Sequence, residues 1–280
     1  MPVAVVTDST AYLPAELRGS LTVVPLTVVV NGVEGVEGVD IAPAEVARAL
    51  DARRVAVSTS RPAPETFVAA YRRLLDAGAD AVVSVHLSAK LSGTVDAARL
   101  AAQEVGPQVT VVDAGFAGMG LGFPALAAGA AAAAGATQAD VAAVAVTTAA
   151  RISSLFYVDT LEFLRRGGRI NAASALLGTA LSVKPILGVT DGEIVIRDRV
   201  RTSSRALARL VDLAVTAAGD GDADIAVHHL GSPDRAAALA TAVGDRLGER
   251  LRDCYVTEIG AVVAAHVGPG FACLVVHRRP

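Results

Sequence analysis

The sequence contains no tryptophan, and aromatic residues make up only 4% of it. Stacking on nucleobases needs aromatic faces. There is no cationic excess either: 25 Lys and Arg stand against 28 Asp and Glu, a formal net charge of −3. Nucleic acids and anionic membrane surfaces both want a basic patch, so neither partner class is expected. The two cysteines, Cys254 and Cys273, are far apart in apolar contexts. They cannot build a disulfide scaffold and have no metal-ligand spacing; both are expected in the core, and neither a metal nor a cofactor is expected. No basic leader precedes the first charge, so a signal peptide is not expected. Residues 114–139 carry no charge and are long enough to span a bilayer. However, they are mostly Ala and Gly, include Pro124, and hold few of the large apolar residues that drive insertion. They read as a helix packed closely on a sheet, with no membrane span, in a soluble, cytoplasmic protein.

What is abundant is apolar residues, 52% of the 280, enough for one large or two medium domains. Short β-branched runs alternate with helical stretches through the first half. Strands are expected at 3–7, 21–30, 80–87 and 109–113, and helices at 13–17, 43–53, 64–77 and 94–104. This rhythm predicts a mainly parallel sheet with helices on both faces. The pattern then changes. Asp191-Gly192 between the apolar runs 182–190 and 193–200 signals a hairpin with a two-residue turn. Helices at 203–218 and 233–247, a start near 261–265, and strands at 225–229, 254–258 and 271–277 complete a mixed or antiparallel sheet. The fold class is therefore α/β in two domains, 1–155 and 156–280, with a ligand between them. Ligands of such sheets sit beyond the carboxyl ends of the parallel strands.

Polar loops gather at those ends. Asp8, Ser9 and Thr10 follow the first strand, either as a helix cap or as a site-lining loop. Thr59, Ser60 and Arg61 precede a helix and cap it or donate to an anion. In Leu91-Ser92-Gly93-Thr94 a helix start offers free N–H groups that attract anions; Gly93 permits close backbone approach, and Ser92 and Thr94 add hydroxyls. The loop lacks the Gly-Lys-Ser/Thr ending of a phosphate-binding loop and the Gly-x-Ser-x-Gly elbow. No Rossmann glycine pattern occurs. Basic residues and Gly167-Gly168 end a helix near 161–167, leaving Arg169 unexplained. His266 stands before Gly268-Pro269-Gly270, where a site role is more plausible than for the pair His228-His229, read as a strand end.

Together these segments resemble the DegV family of fatty-acid-binding proteins. Thr7-Asp8-Ser9-Thr10, Thr59-Ser60-Arg61-Pro62-Ala63, Leu91-Ser92-Gly93-Thr94, the Leu-x-x-Leu-x-x-Gly-Gly-Arg-Ile segment at 161–170, Lys184-Pro185-Ile186-Leu187, Asp191-Gly192, Val200-Arg201 and His266-x-Gly-Pro-Gly recur in the family's order. Departures are Arg61 for Gln, Ala63 for Ser, Ala89 for a second Ser, and Ala114 for the Ser of Val-Asp-Ser. The resemblance implies a long-chain fatty acid in an apolar interdomain tunnel, its carboxylate at Thr59, Ser92 and Gly93 with His266 nearby. It also implies a separate ATP-binding kinase subunit that phosphorylates the carboxylate, so that this chain presents substrate and does not catalyse. Asp8, Ser9, Thr10, Ser60, Arg61, Thr94, Arg169 and Arg201 are candidates for a further site or for kinase docking. The competing expectation is an acyl hydrolase with Ser92 as nucleophile and His266 as base.

Overall fold

The computed structural model describes residues 2–52, 56–170 and 183–280. Strand β1 (Val3–Asp8) leads through two 3-10 turns to β2 (Thr22–Val24), β3 (Thr27–Val30) and β4 (Val33–Val36). Then come α1 (Pro43–Asp51), β5 (Val57–Ser60), α2 (Pro64–Asp76), β6 (Ala81–His86), α3 (Thr94–Val105) and β7 (Val109–Asp113). Helices α4 (Met119–Ala133) and α5 (Gln138–Ala149) connect to β8 (Ile152–Tyr157) and α6 (Glu162–Arg166). The chain continues through β9 (Lys184–Thr190), β10 (Glu193–Val200), α7 (Ser203–Ala218), β11 (Ala223–His229), α8 (Pro233–Leu247), β12 (Leu251–Glu258), α9 (Ala261–Val267) and β13 (Ala272–Arg278).

The expected fold class holds. Strands β2-β1-β6-β7 form an all-parallel sheet, and β10-β9-β8-β13-β11-β12 form a mixed one in which only β11 and β12 run parallel. Every residue of β6 is buried, which is why it is mainly apolar on both faces rather than alternating. In the mixed sheet, successive side chains face opposite ways. Leu155, Tyr157, Leu274 and Val276 face α7 and α8, while Phe156, Cys273 and Val275 join the core shared with the first half. The expected domain boundary, 155/156, falls inside β8.

Helix α4 lies between the sheets, against β1 and β6 on one side and β8 and β13 on the other. Its glycines and alanines let both sheets approach. No helix among the described residues is long and apolar enough to cross a membrane.

Several local expectations are corrected. The run 21–30 is two strands in two sheets, broken at Pro25, which cannot donate to a ladder. Strand β3 turns away to form a third, antiparallel sheet, β4-β3-β5, with positive φ at Asn31 and Gly32 in its hairpin turn. Thr59 and Ser60 are thus strand residues, and the α2 cap falls at Ala63. The stretch 13–17 is a 3-10 turn at Ala15–Leu17. The charge-free run is not one helix: α4 stops at Ala133 and α5 begins at Gln138. Cys254 is exposed, and only Cys273 is in the core. The expected ends at Arg53 and Ser182 lie outside the described residues.

Asp8 ties β1 to β6. Its buried carboxylate accepts from the Thr10 N–H and hydroxyl, the Leu87 N–H at 3.0 Å and the ring of His86 at 3.0 Å. The far nitrogen of His86 meets Ser84 Oγ at 2.6 Å, and Tyr71 donates to the same oxygen. This Ser–His–Asp chain has the connectivity of a catalytic triad. All four side chains are fully buried, so it serves as a polar core for the parallel sheet. Replacing Asp8 by Ala strands several buried donors at about 1–3 kcal/mol each. Urea unfolding of Asp8→Ala is expected to show a loss of about 3 kcal/mol or more, and an unchanged midpoint would contradict this role.

Candidate functional site

A cavity of about 370 Å³ lies between the two halves. Its walls are mainly apolar: Leu26, Leu87 and Ala117 come from the first half, and Phe156, Leu164, Val189, Ile194, Val262 and Phe271 from the second. Its polar end gathers Thr59, Ser60, Arg61, Ser92, Gly93, Arg169 and His266, residues from four separate stretches of chain.

Thr59 is placed by the third sheet. Strand β5 alternates, with Thr59 turned inward between exposed Ser58 and Ser60. Its Oγ1 lies 2.9 Å from Nε2 of His266. Burial pushes the His266 imidazole down to about 4, with Arg169 adding a smaller effect in the same direction, so the ring is neutral at pH 7. Its Nδ1 is buried and has no partner among the described residues. In the tautomer with the proton on Nε2, the ring donates to Thr59 Oγ1. The Thr59 proton is then free to point into the cavity.

Ser92 is held the same way. It precedes α3 and accepts from the Thr94 N–H at 3.3 Å, and its Oγ is 2.9 Å from the buried Thr94 hydroxyl. With Thr94 donating, the Ser92 proton is also free. Gly93 has an ordinary φ of −73°. A Cβ there would crowd the Arg61 side chain. The close approach is thus made by the guanidinium at the rim. Arg169 donates Nε to Leu91 O at 3.0 Å and Nη1 to Gly167 O; burial lowers its pKa.

His266 closes the last turn of α9. Gly268 follows it at φ +70°, where a Cβ would strike the Phe163 ring. The start of α9 is held by Glu37. This buried carboxylate accepts from the Val262 N–H at 2.8 Å, from Tyr12 at 3.2 Å and from Ser9. Burial raises its pKa, partly offset by those donors. Tyr12, at a positive φ of 47°, also receives the Val263 N–H at 3.1 Å and lines the cavity.

The sequence candidates therefore divide. Thr59, Ser60, Arg61, Ser92, Gly93, Arg169 and His266 meet at one place. Asp8 and Thr10 are spent inside the parallel sheet, Ser9 on Glu37, and Thr94 on Ser92; none of these four lines the cavity. Arg201 is exposed between β10 and α7. Ser92 and His266 are not bonded to each other, and a ring that titrates near 4 is a weak base. No group of residues that could hold a metal occurs among the described residues.

Glu37, Tyr12 and His228 escaped the sequence reading. His228 lines the cavity. Its Nε2 accepts from the Met119 N–H at 2.8 Å, and its Nδ1 is 2.7 Å from the Thr257 hydroxyl. Burial pushes it down to about 4. No local pattern marks Glu37 or Tyr12, whose partners on α9 lie more than two hundred residues away. The His228-His229 pair was visible, but nothing in the sequence separates its buried member from an ordinary strand end.

A mainly apolar cavity between two α/β lobes, with hydroxyls and guanidiniums gathered at one end, suits a small amphipathic ligand. Comparison with known proteins is specific. The family model for DegV, whose members it describes as uncharacterised proteins, matches residues 2–279, and the chain belongs to the DegV family. A DegV domain-containing protein of Streptomyces coelicolor is 53% identical over 279 residues, 99% of each chain. Among the solved structures that align with the full length of both chains are two more than a quarter identical to this one. The DegV family protein of Thermus thermophilus, described as fatty-acid binding, superposes with a TM-score of 0.93 at 37% identity. DegV of Bacillus subtilis, a fatty acid binding protein, gives 0.89 at 29%.

His228 and His266 are neutral in the folded protein but protonate near 6.5 when unfolded. Between pH 6.5 and about 4 the unfolded chain binds more protons, so stability falls as pH falls through that window. Denaturant unfolding in steps from pH 7 to pH 4.5 is expected to show the decline, with a shallower slope for His266→Gln. A His266→Gln slope equal to that of the wild type would contradict the neutral assignment.

Proposed function

We propose that this chain binds a long-chain fatty acid in the interlobe cavity and presents its carboxylate to a separate ATP-dependent kinase, which forms the acyl phosphate. The observation that carries the first part is the cavity itself: a mainly apolar space with hydroxyls and guanidiniums gathered at its polar end. The fatty-acid binding of the Thermus thermophilus and Bacillus subtilis proteins supports it.

The energetics suit such a ligand. Each buried CH₂ contributes about 0.8 kcal/mol, so a tail of roughly twelve to eighteen carbons supplies on the order of 10 kcal/mol before ordering costs. A carboxylate removed from water must still be matched by donors. Thr59 and Ser92 supply two, and the Gly93 backbone and the Arg61 and Arg169 guanidiniums border them. The head group thus contributes orientation, and the tail contributes most of the affinity. On this reading Ser92 donates and does not attack.

The kinase step rests on the family resemblance. The chain has no phosphate-binding loop of its own, and the exposed Arg201 is well placed to meet a partner or the new phosphate.

Native mass spectrometry of the purified protein is expected to find a co-purifying fatty acid. Thr59→Val and Ser92→Ala are each expected to weaken its binding by about 10- to 100-fold, the loss of one hydrogen bond to a charged group. A clean apo mass with no uptake of added fatty acid would sink the ligand assignment. Covalent capture of Ser92 by a fluorophosphonate would favour the hydrolase instead.

Arg201→Glu is expected to retain lipid binding while losing phosphate transfer from labelled ATP in the presence of a fatty acid kinase subunit. Loss of lipid binding in that variant would contradict the docking role.

A further inference from the structure

The interlobe cavity shares part of its wall with a second, open groove of about 770 Å³. Ser154 on β8 and Val189 on β9 line both spaces. Along the chain the two sides alternate: Leu87 and Ala117 face the cavity, while their neighbours Ser88 and Phe116 face the groove. The partition is therefore one residue thick, and its two shared members belong to the mixed sheet, away from the strand, loop and helix that supply Thr59, Ser92 and His266.

The groove has an apolar inner side, made by Ile152, Leu155, Leu213 and Ala217, and a charged rim that includes Lys90 and Arg197. Its position is fixed by the β9–β10 turn, which docks on the loop after β6. Ser88 Oγ donates to Gly192 O at 2.8 Å, and Lys90 pairs with Glu193 at 3.4 Å. The partition itself is held more loosely. Among the described residues the only side-chain hydrogen bond of Ser154 is the long one to the Cys273 sulfur at 3.8 Å, and Val189 is half-buried.

Volume decides what such a wall does. Ligand pockets run from about 300 to 1,000 Å³, and 370 Å³ stands at the small end of that range. A long acyl chain gains room most readily where the wall is thin and the far side is apolar. Resting on the fatty-acid reading above, we propose that Ser154 and Val189 form a gate through which the distal end of a long acyl chain passes from the cavity into the groove. These two side chains then set the upper limit of chain length, while the polar end sets only the orientation of the head.

The test is competition between saturated fatty acids of roughly fourteen to twenty-two carbons, read by native mass spectrometry on the intact protein. Val189→Phe thickens the gate and is expected to lower the ratio of long-chain to short-chain affinity by about fourfold for each carbon denied burial. Val189→Ala thins it and is expected to move the ratio the other way, which keeps the test decisive if the larger side chain impairs folding. A wild-type protein that binds the series, with a chain-length profile unmoved by either variant, would overturn the gate and leave the ligand assignment standing. A wild type that binds none of the acids overturns both.

Discussion

The cavity exists because one short helix is held at both ends by the opposite lobe. At the start of α9, Glu37 takes the Val262 N–H, while Tyr12 takes that of Val263. These are unsatisfied donors of a helix N-terminus, where negative charge is favoured. At its end, His266 meets Thr59 across the gap. Between these anchors Val262, Val263, His266 and Val267 form one wall of the cavity. Burial works against the Glu37 charge, and the three donors around it are what make the arrangement tolerable. Further bonds across the lobes, Met119 to His228 and Ser88 to Gly192, make the cavity a property of the assembled chain rather than of either half.

Electrostatically the enclosure is quiet. Both histidines that line it are neutral, and each has a ring nitrogen engaged by a neighbouring hydroxyl. Burial pushes the Cys273 thiol up to about 12, so it too is uncharged. Among the described residues, the guanidiniums of Arg61 and Arg169 at the polar end are the only charged side chains lining the cavity. Such a surface disfavours ions along its length and accepts one at its end, the polarity of an amphiphile. The buried Asp8–His86–Ser84 chain shows how little connectivity alone says about chemistry, since it has triad order and no access.

Much of this was legible in the sequence, and the remainder was not for identifiable reasons. The parallel sheet, the Asp191-Gly192 hairpin and the loop at Ser92 follow from local periodicity and turn chemistry. Thr59 and His266 were found through motif order. Their mutual bond spans 207 residues and has no local trace. The third sheet was missed although Asn31-Gly32, between valine-rich runs, carries the same turn signal as Asp191-Gly192. Pro25 was the other clue, since a proline inside a ten-residue apolar run argues against one continuous strand. Glu37 sits just past a short exposed hairpin strand and looks like any solvated acid. Its role depends wholly on what folds over it.

Strand β13 occupies the middle of the mixed sheet, between β8 and β11. It is synthesised after both of its neighbours. While the chain is still emerging from the ribosome, β8 and β11 therefore stand as two unpaired edges with a strand-wide gap between them. Such edges invite pairing with other chains, and non-local pairing of this kind is slow. A nascent chain in which β13 has yet to insert therefore carries an aggregation hazard, and its insertion joins the two halves of the second sheet and brings Cys273 to the cavity wall.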